Sequence, residues 1–236
     1  MATQPLLNPD ELVAIETAIR EAETRTRGEI YCVLAEESSD YAQTPLAWAA
    51  GVALLAPALL LLLGVQVSAP DLFPGWTAVQ VSEVATGAVR RALAGAILLQ
   101  AALFAVTALI VAWPPLRRTL TPASLKRAAV QARAQEQFLA KNLHLTRGRT
   151  GVLIYVSAAE RMAELVADEG IDKAVAPGVW DEAMSALTSG LKRGAPSDGF
   201  LACIGRCAAV LAEQFPGSSA DNPNELPDAV AVLPRT

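Results

Sequence analysis

The chain has 236 residues, a hydrophobic fraction of 53% and a formal net charge of −5. The lack of a basic excess argues against nucleic acid as a partner, because binding to phosphates depends on lysine and arginine. Three cysteines are too few and too scattered for a disulfide framework. We therefore expect reduced, buried thiols that pack as small hydrophobic groups.

The N-terminal segment predicts a helix followed by a strand. Asn8, with Pro9 after it and Glu11 three residues on, is typical of a capped helix start. Gly28 is predicted to end this helix in a left-handed turn. The apolar run Ile30–Leu34 then indicates a strand covered on both faces.

Two long apolar runs without a charged residue lie inside the chain, Leu46–Val65 and Ala92–Trp113. As a helix, each is about 30 Å long, the thickness of the hydrocarbon core of a bilayer. The charged stretch Asp10–Arg27 lacks the pattern of a signal peptide, so the first run is expected to act as an uncleaved insertion signal. The connection 66–91 is predicted to be a short loop at the membrane interface.

Residues at the ends of the runs predict how this hairpin lies in a bilayer. Trp48 and Trp113 are typical of aromatic interface anchors, and Arg117 and Arg118 of a basic flank near anionic headgroups. Five positive residues follow the second run and two lie in the connection: Arg117, Arg118, Lys126, Arg127 and Arg133 against Arg90 and Arg91. This bias predicts a two-span cell-membrane protein with its soluble part and both termini in the cytoplasm.

The C-terminal half alternates between helical and strand patterns. The predicted elements are a helix from Thr121-Pro122 to near Asn142, strands Gly151–Ser157 and Met162–Ala167, helices over 179–191 and 197–215, and an edge strand Ala229–Leu233. About 165 residues lie outside the hairpin, the size of one globular domain.

The first helix and strand are too small to fold alone, because they cannot bury enough surface to offset the ordering entropy. The strand Ile30–Leu34 must therefore pair with Val152–Val156 or Met162–Val166. Only an even number of crossings returns the chain to the same side. The predicted fold is an α/β class with a small sheet flanked by helices, an α/β/α sandwich interrupted by a two-helix transmembrane hairpin. Residues 1–45 and 117–236 form the domain, and 46–116 the hairpin.

Three segments carry a resemblance to a known family. They are RTRGEIYCVLA, AQEQFLAKNLHLTRGRTGVLIYVSAAERMAELVADEGI and VWDEAMSALTSGLKRGAPSDGFLACIGRCAAVL. Their order and spacing resemble the TPM domain family, which includes a thylakoid acid phosphatase, photosystem II assembly and repair proteins and a modulator of acetylcholine receptors. Two features depart from the family pattern: the hairpin after the first strand, and Asp168-Glu169-Gly170-Ile171 in place of a glycine-rich turn.

A cluster of acidic residues at the end of a strand suggests a weak divalent-cation site. Asp168, Glu169 and Asp172 offer the oxygen ligands that calcium or magnesium prefers, with Asp198 as a weaker candidate. The resemblance implies the same, since metal binding has been suggested for the family. The alternative is a solvated acidic turn.

A basic, glycine-bearing loop precedes the strand at 151–157. Arg147, Gly148 and Arg149 could bind an anion, but a phosphate cradle usually follows a strand and opens a helix, so a tight helix–strand connection is the better account. His144 has no sequence-local partner that would make it a general base, which favours a structural or exposed role.

The resemblance and the hairpin together predict a function. The expected function is that of a membrane-anchored, TPM-like binding or accessory module in envelope or membrane-complex maintenance, with the lipid bilayer and a membrane or envelope protein as partners. The alternative is a phosphatase-like hydrolase that depends on a divalent metal held near Asp168, Asp172 and Asp198.

Overall fold

A computed structural model describes residues 6–63, 78–217 and 225–235. The chain divides into two compact units. The first, here the α/β unit, combines Met1–Asp40 with Ala123–Thr236, and the second, the helical unit, is Tyr41–Pro122.

The α/β unit is built from both sides of the insertion. Its elements are α1 (Pro9–Glu23), β1 (Glu29–Ala35), α5 (Ala123–Ala140), a short 3-10 turn (Leu143–Leu145), β2 (Gly151–Ser157), β3 (Met162–Ala167), α6 (Glu169–Asp172), α7 (Asp181–Arg193), α8 (Pro196–Gln214) and β4 (Ala231–Leu233). The helical unit contains α2 (Gln43–Leu62), α3 (Ala78–Val111) and α4 (Pro114–Leu120).

The four strands form one mixed sheet in the order β3-β2-β1-β4. β1 runs parallel to β2, in a register that pairs Glu29 with Gly151 and Ala35 with Ser157. β4 is parallel to β1, and β3 is antiparallel to β2. The strand before the helical unit therefore pairs with a strand after it, as the sequence predicted.

Successive side chains of β1 and β2 point to opposite sides of the sheet. Both strands are buried throughout, so both faces of the sheet have to be covered, and helices cover them. On one face Ile30, Cys32 and Leu34 pack against α1, α7 and α8. On the other face Tyr31 and Val33 pack against α5 and the 3-10 turn. The three cysteines are buried free thiols, as predicted.

The start of α1 is confirmed and its predicted end is wrong. Asn8 and Glu11 form a reciprocal capping box, in which each side chain accepts from the other residue's backbone N–H. The helix ends at Glu23, with Thr24 as its cap. Gly28 instead lies close to α8: a Cβ there would be 3.0 Å from the Leu211 side chain, which would have to shift to make room.

The helical unit is a hairpin whose two long helices each contain a stretch long and apolar enough to cross a membrane, Gln43–Leu60 and Leu93–Val111. The start of α2 returns to the segment after α3, since Thr44 Oγ1 lies 3.0 Å from Thr121 Oγ1. The predicted interface loop is wrong for residues 78–91, which extend α3 toward its N-terminus. The rest of that loop, 66–77, lies outside the described residues.

Candidate functional site

Asp168, the first of the predicted metal ligands, is committed to other partners. It lies at the end of β3 and caps α6, accepting from the Glu169 backbone N–H at 2.6 Å. Arg149 donates to the same oxygen, Oδ1, with Nε at 3.2 Å and Nη2 at 3.1 Å. Asp168 is buried, and its Oδ2 has no hydrogen-bond partner among the described residues. A cation could therefore approach only Oδ2 of Asp168, and the positive charge of Arg149 beside it would repel the cation.

The neighbouring carboxylates do not converge on Asp168. Glu169 pairs with Lys173 at 2.7 Å and lies 3.7 Å from Arg149, and the bond to Lys173 lowers the pKa of Glu169. Asp172 is exposed on α6, and Asp198 is exposed in the first turn of α8. Within the described part of the chain, no group of three or more His, Cys, Asp or Glu side chains could hold a metal ion. The cation site stays a prediction.

The basic loop before β2 is a tight connection. Arg149 has a φ of 51° and uses its guanidinium on Asp168. A Cβ on Gly170 would meet the Arg149 carbonyl oxygen at 2.5 Å, and one on Gly151 would meet the Leu143 carbonyl oxygen at 2.6 Å. These contacts leave no room for larger residues, which favours the helix–strand connection over an anion cradle.

His144, in the 3-10 turn, is half-buried. Its Nδ1 has no hydrogen-bond partner among the described residues. An orienting partner on that nitrogen is what fixes a histidine as a general base. The geometry therefore favours the structural or exposed role predicted from the sequence over that of a general base.

A polar network of hydroxyls and one carboxylate lies at the opposite end of the sheet. It joins the ends of β1 and β2 through Ser38, Tyr155, Ser157 and Glu160. The Tyr155 hydroxyl lies 3.0 Å from Ser38 Oγ, and Ser38 Oγ donates to Ser157 Oγ at 2.8 Å. Ser157 donates in turn to the Glu160 carboxylate, which also accepts from the Ser38 backbone N–H at 3.3 Å.

This network lies where α/β sheets usually bind ligands, at the carboxyl ends of parallel strands. Its hydroxyls form a directed chain that ends on a carboxylate, and such chains strengthen each member bond. Tyr155 and Ser157 are fully buried, and burial raises the pKa of Tyr155. Ser157 is buried and uses its hydroxyl on the Glu160 carboxylate, so the network ties the β2–β3 turn to the end of β1.

Sequence reasoning missed this network for a definable reason. Ser38 and Ser157 each follow an apolar strand run, and Glu160 follows within a turn. Those signals become a site only when β1 and β2 are known to be parallel and in register. The sequence left two possible partners for β1, one of which would have separated these residues.

The predicted membrane-interface residues lie together in the helical unit. Trp48, on α2, donates from Nε1 to the Leu120 carbonyl oxygen at 3.2 Å, at the end of α4. Trp113 is exposed and precedes α4, whose last turn carries Arg117 and Arg118. The structure thus gathers the aromatic and basic residues at the end of the hairpin that carries both chain connections.

No protein-family model matches this sequence. No curated protein sequence matches it either. The structure is similar to the NMR structure of the BA42 protein from the psychrophilic bacterium Bizionia argentinensis, with a TM-score of 0.55 and 20% sequence identity. The match covers 98% of this chain and 99% of that one. The likeness is one of fold alone.

Proposed function

We propose that this protein is a two-span cell-membrane protein whose α/β unit, of TPM type, is a binding or accessory module for membrane or envelope protein complexes. The observation that carries the proposal is the apolar surface of α2 and α3. Only 22% of the residues in the candidate span of α2 are buried inside the protein, and 6% in that of α3. The core helix of a water-soluble protein would be mostly buried, so these helices need another apolar environment.

The pairing of β1 argues against a removable signal sequence. β1 precedes α2 and lies between β2 and β4 in the sheet. Cleavage near α2 would remove an inner strand, whose seven residues are all buried. A membrane-directed α2 therefore has to stay in the mature protein.

The sheet also constrains the number of crossings. β1 and β2 are hydrogen-bonded neighbours, although α2 and α3 lie between them in the sequence. If α2 crosses the bilayer, α3 must cross back. Two crossings satisfy the sheet, and one does not.

The charges favour the cytoplasmic side for the α/β unit. Arg117 and Arg118 immediately follow the second span, and Lys126 and Arg127 come soon after. Basic residues close to span ends are retained in the cytoplasm. Arg90, exposed on α3, and Arg91 are the opposing charges.

The chemistry of the α/β unit supports binding better than catalysis. Asp168 is capped and ion-paired, and the hydroxyl of Ser157 is buried. A rigid sheet with helices on both faces offers a surface for a partner protein. We therefore propose a membrane or envelope protein as the partner, with no reaction at these residues.

Cysteine labelling tests the topology directly. Arg25→Cys, Gly75→Cys and Ser124→Cys place single thiols before, between and after the spans, and Gly75 lies outside the described residues. The native cysteines are buried, so the unmodified protein is the blank. In spheroplasts we expect a membrane-impermeant maleimide to label position 75 at once, and positions 25 and 124 only after permeabilisation.

Two results would contradict the proposal. Positions 25 and 124 on opposite sides of the membrane would exclude two crossings. Labelling of all three before permeabilisation, with release of the protein by alkaline carbonate, would exclude any crossing. Reversed labelling would keep both spans and overturn the cytoplasmic orientation.

A further inference from the structure

The outer edge of β3 is an unpaired strand edge. β3 ends the sheet order, and its six residues are all half-buried, whereas β1 and β2 are buried throughout. No strand in the described ranges pairs with its outer side. The other edge strand, β4, has only three residues.

The pattern of hydrogen bonds between β2 and β3 shows which backbone groups of β3 point away from β2. Asp168 donates its N–H to the Gly151 carbonyl, and these residues are opposite each other in the β2–β3 register. Bonded and non-bonded pairs alternate in an antiparallel ladder. Ala163, Leu165 and Ala167 therefore direct N–H and C=O groups away from β2.

A groove of about 500 Å³ lies beside the first half of this edge, at Met162, Ala163 and Glu164. Its walls come from α5 on one face of the sheet and α7 on the other, and its floor includes Arg161–Glu164. Ala163, one of the residues whose backbone groups point away from β2, lines the groove with a small side chain.

The groove is positively charged in an otherwise acidic protein. Arg127 from α5, Arg161 from the β2–β3 turn and Lys192 from α7 line it, and all three are exposed. Within the described residues, none of the three forms an ion pair with a carboxylate. Glu164 is the single acidic residue lining it, against these three cations, and burial raises the pKa of Glu164.

We propose that this groove binds an extended acidic segment of a partner protein, which adds to the sheet as a fifth strand beside β3. Strand addition uses main-chain hydrogen bonds for affinity and flanking side chains for selection. Here the three cations select acidic residues. The choice of a protein partner rests on the proposed binding role; the groove itself does not depend on the membrane spans.

The edge favours a peptide over a phosphate or a lipid headgroup. A strand edge presents donors and acceptors in alternation, and the outward carbonyls of Ala163 and Leu165 need a donor. A phosphate group offers mainly acceptors, whereas an extended peptide backbone supplies donors and acceptors in the alternating spacing of a strand edge.

The test uses the full chain in neutral detergent micelles and a fluorescent ten-residue peptide that alternates glutamate with valine. Its matched control alternates lysine with valine. We expect saturable binding of the acidic peptide, measured by fluorescence anisotropy, and none of the basic peptide. Each of Arg127→Gln, Arg161→Gln and Lys192→Gln should weaken binding about two- to fivefold, while Arg25→Gln, on the α1–β1 connection, should not.

Amide hydrogen exchange separates strand addition from simple charge attraction. On peptide binding, exchange at Ala163 and Leu165 should slow by about tenfold or more, because their N–H groups become bonded. Ala163→Pro removes one outward donor and should weaken binding, whereas Ala163→Gly keeps that donor and the affinity. If Ala163→Pro does not fold, the exchange rates at Ala163 and Leu165 in the unmodified chain still decide between strand addition and charge attraction.

Three results would overturn the inference. The first is no peptide binding, which would leave the cations as guards against edge-to-edge aggregation. The second is binding without slower exchange at Ala163 and Leu165. The third is competition by anionic-lipid micelles with loss of the peptide signal, which would make the groove a headgroup site. The two proposals can fail separately. If alkaline carbonate releases the protein from membranes but the acidic peptide still binds, the membrane spans are refuted and the peptide-binding groove stands.

Discussion

Leu55 on α2 and Leu139 on α5 are exposed to a similar degree, 70% and 58%, yet they belong to helices of different kinds. α5 also buries Val130, Ala134 and Phe138 in the core of the α/β unit and carries charged residues on its outer side. α2 has no charged residue along its length. Single exposed leucines are normal on soluble proteins, so the environment of the whole helix decides what an exposed leucine means.

The same contrast extends over the two units. The α/β unit has hydrophobic clusters on both faces of its sheet, and the apolar residues of these clusters pack against one another inside the unit. Large apolar side chains of α2 and α3 remain exposed along both helices: Leu54, Leu55, Leu59, Leu62, Leu93, Ile97, Leu98, Val106, Leu109 and Ile110. A helix that is apolar on all sides requires an apolar surrounding.

Placing one arginine on each helix tests this contrast with the largest expected effect. Leu55→Arg puts a charge near the middle of a proposed span, at a cost of about 2.5–3.5 kcal/mol for insertion. Leu139→Arg adds the same charge to a water-exposed helix face and should change stability by less than about 0.5 kcal/mol. The measurement is the fraction of each variant that resists extraction by alkaline carbonate.

The two variants form a matched pair, because each replaces one exposed leucine with arginine and only the helix differs. We expect Leu55→Arg to lower the carbonate-resistant fraction and Leu139→Arg to leave it unchanged. If both variants partition as the unmodified protein does, α2 is not held by a bilayer, and its leucines are covered in some other way.

The elements that local sequence predicted well are those whose signals lie within a few residues. The capping box of Asn8 and Glu11 depends on neighbouring residues only. The pairing of β1 with a C-terminal strand followed from size and topology. Gly28 and residues 78–91 were misinterpreted, because close packing on Leu211 and the extension of α3 do not show in local pattern.

Less of the site was predictable. Asp168, Glu169 and Asp172 form a cluster in sequence, but Arg149, 19 residues before Asp168, occupies the first of them. Ser38 and Ser157 are 119 residues apart and meet only through the parallel register of β1 and β2. The groove beside β3 forms because α5 and α7 pack on opposite faces of the sheet. The hydrophobic periodicity of the sequence predicts each helix but not the face on which it packs.

The pH dependence of stability should also differ between the two units. α2 and the candidate span of α3 contain no ionisable side chain, whereas the α/β unit contains several. Burial raises the pKa of Glu23 to about 8, with further contributions from the nearby carboxylates of Glu29 and Asp228, although Glu23 accepts a hydrogen bond from Ile30 N–H at 2.9 Å. The folded state thus holds a proton that the unfolded chain releases near its usual value of 4.5. The free energy of unfolding should fall as pH rises from about 4.5 to 8 and level off on either side.

The size of this effect is smaller than the full shift suggests. One pKa unit corresponds to about 1.4 kcal/mol, but Glu23 is only partly buried and solvent screens its charge, so we expect about 2–3 kcal/mol. Glu23→Gln keeps the acceptor for Ile30 and should remove this pH dependence in urea unfolding followed by circular dichroism. For the helical unit, we expect the membrane-bound fraction of the protein to stay constant over the same pH range. An unchanged slope in Glu23→Gln would assign the pH dependence to another group.

Glycine packing gives the last and smallest test of the contrast. Gly190 on α7 meets α8 so closely that an added Cβ would lie 2.5 Å from Gly199 Cα and 2.7 Å from its N. Because backbone atoms cannot give way as a side chain does, Gly190→Ala should destabilise the α/β unit by about 1–3 kcal/mol. Gly51 on α2 has no described heavy atom within 4 Å of such a Cβ, so Gly51→Ala should be neutral or stabilising by up to about 1 kcal/mol through helix propensity. Thermal unfolding of both variants in micelles measures the difference; a loss of stability in Gly51→Ala would mean that this face of α2 packs against a neighbour, such as a second copy of the chain.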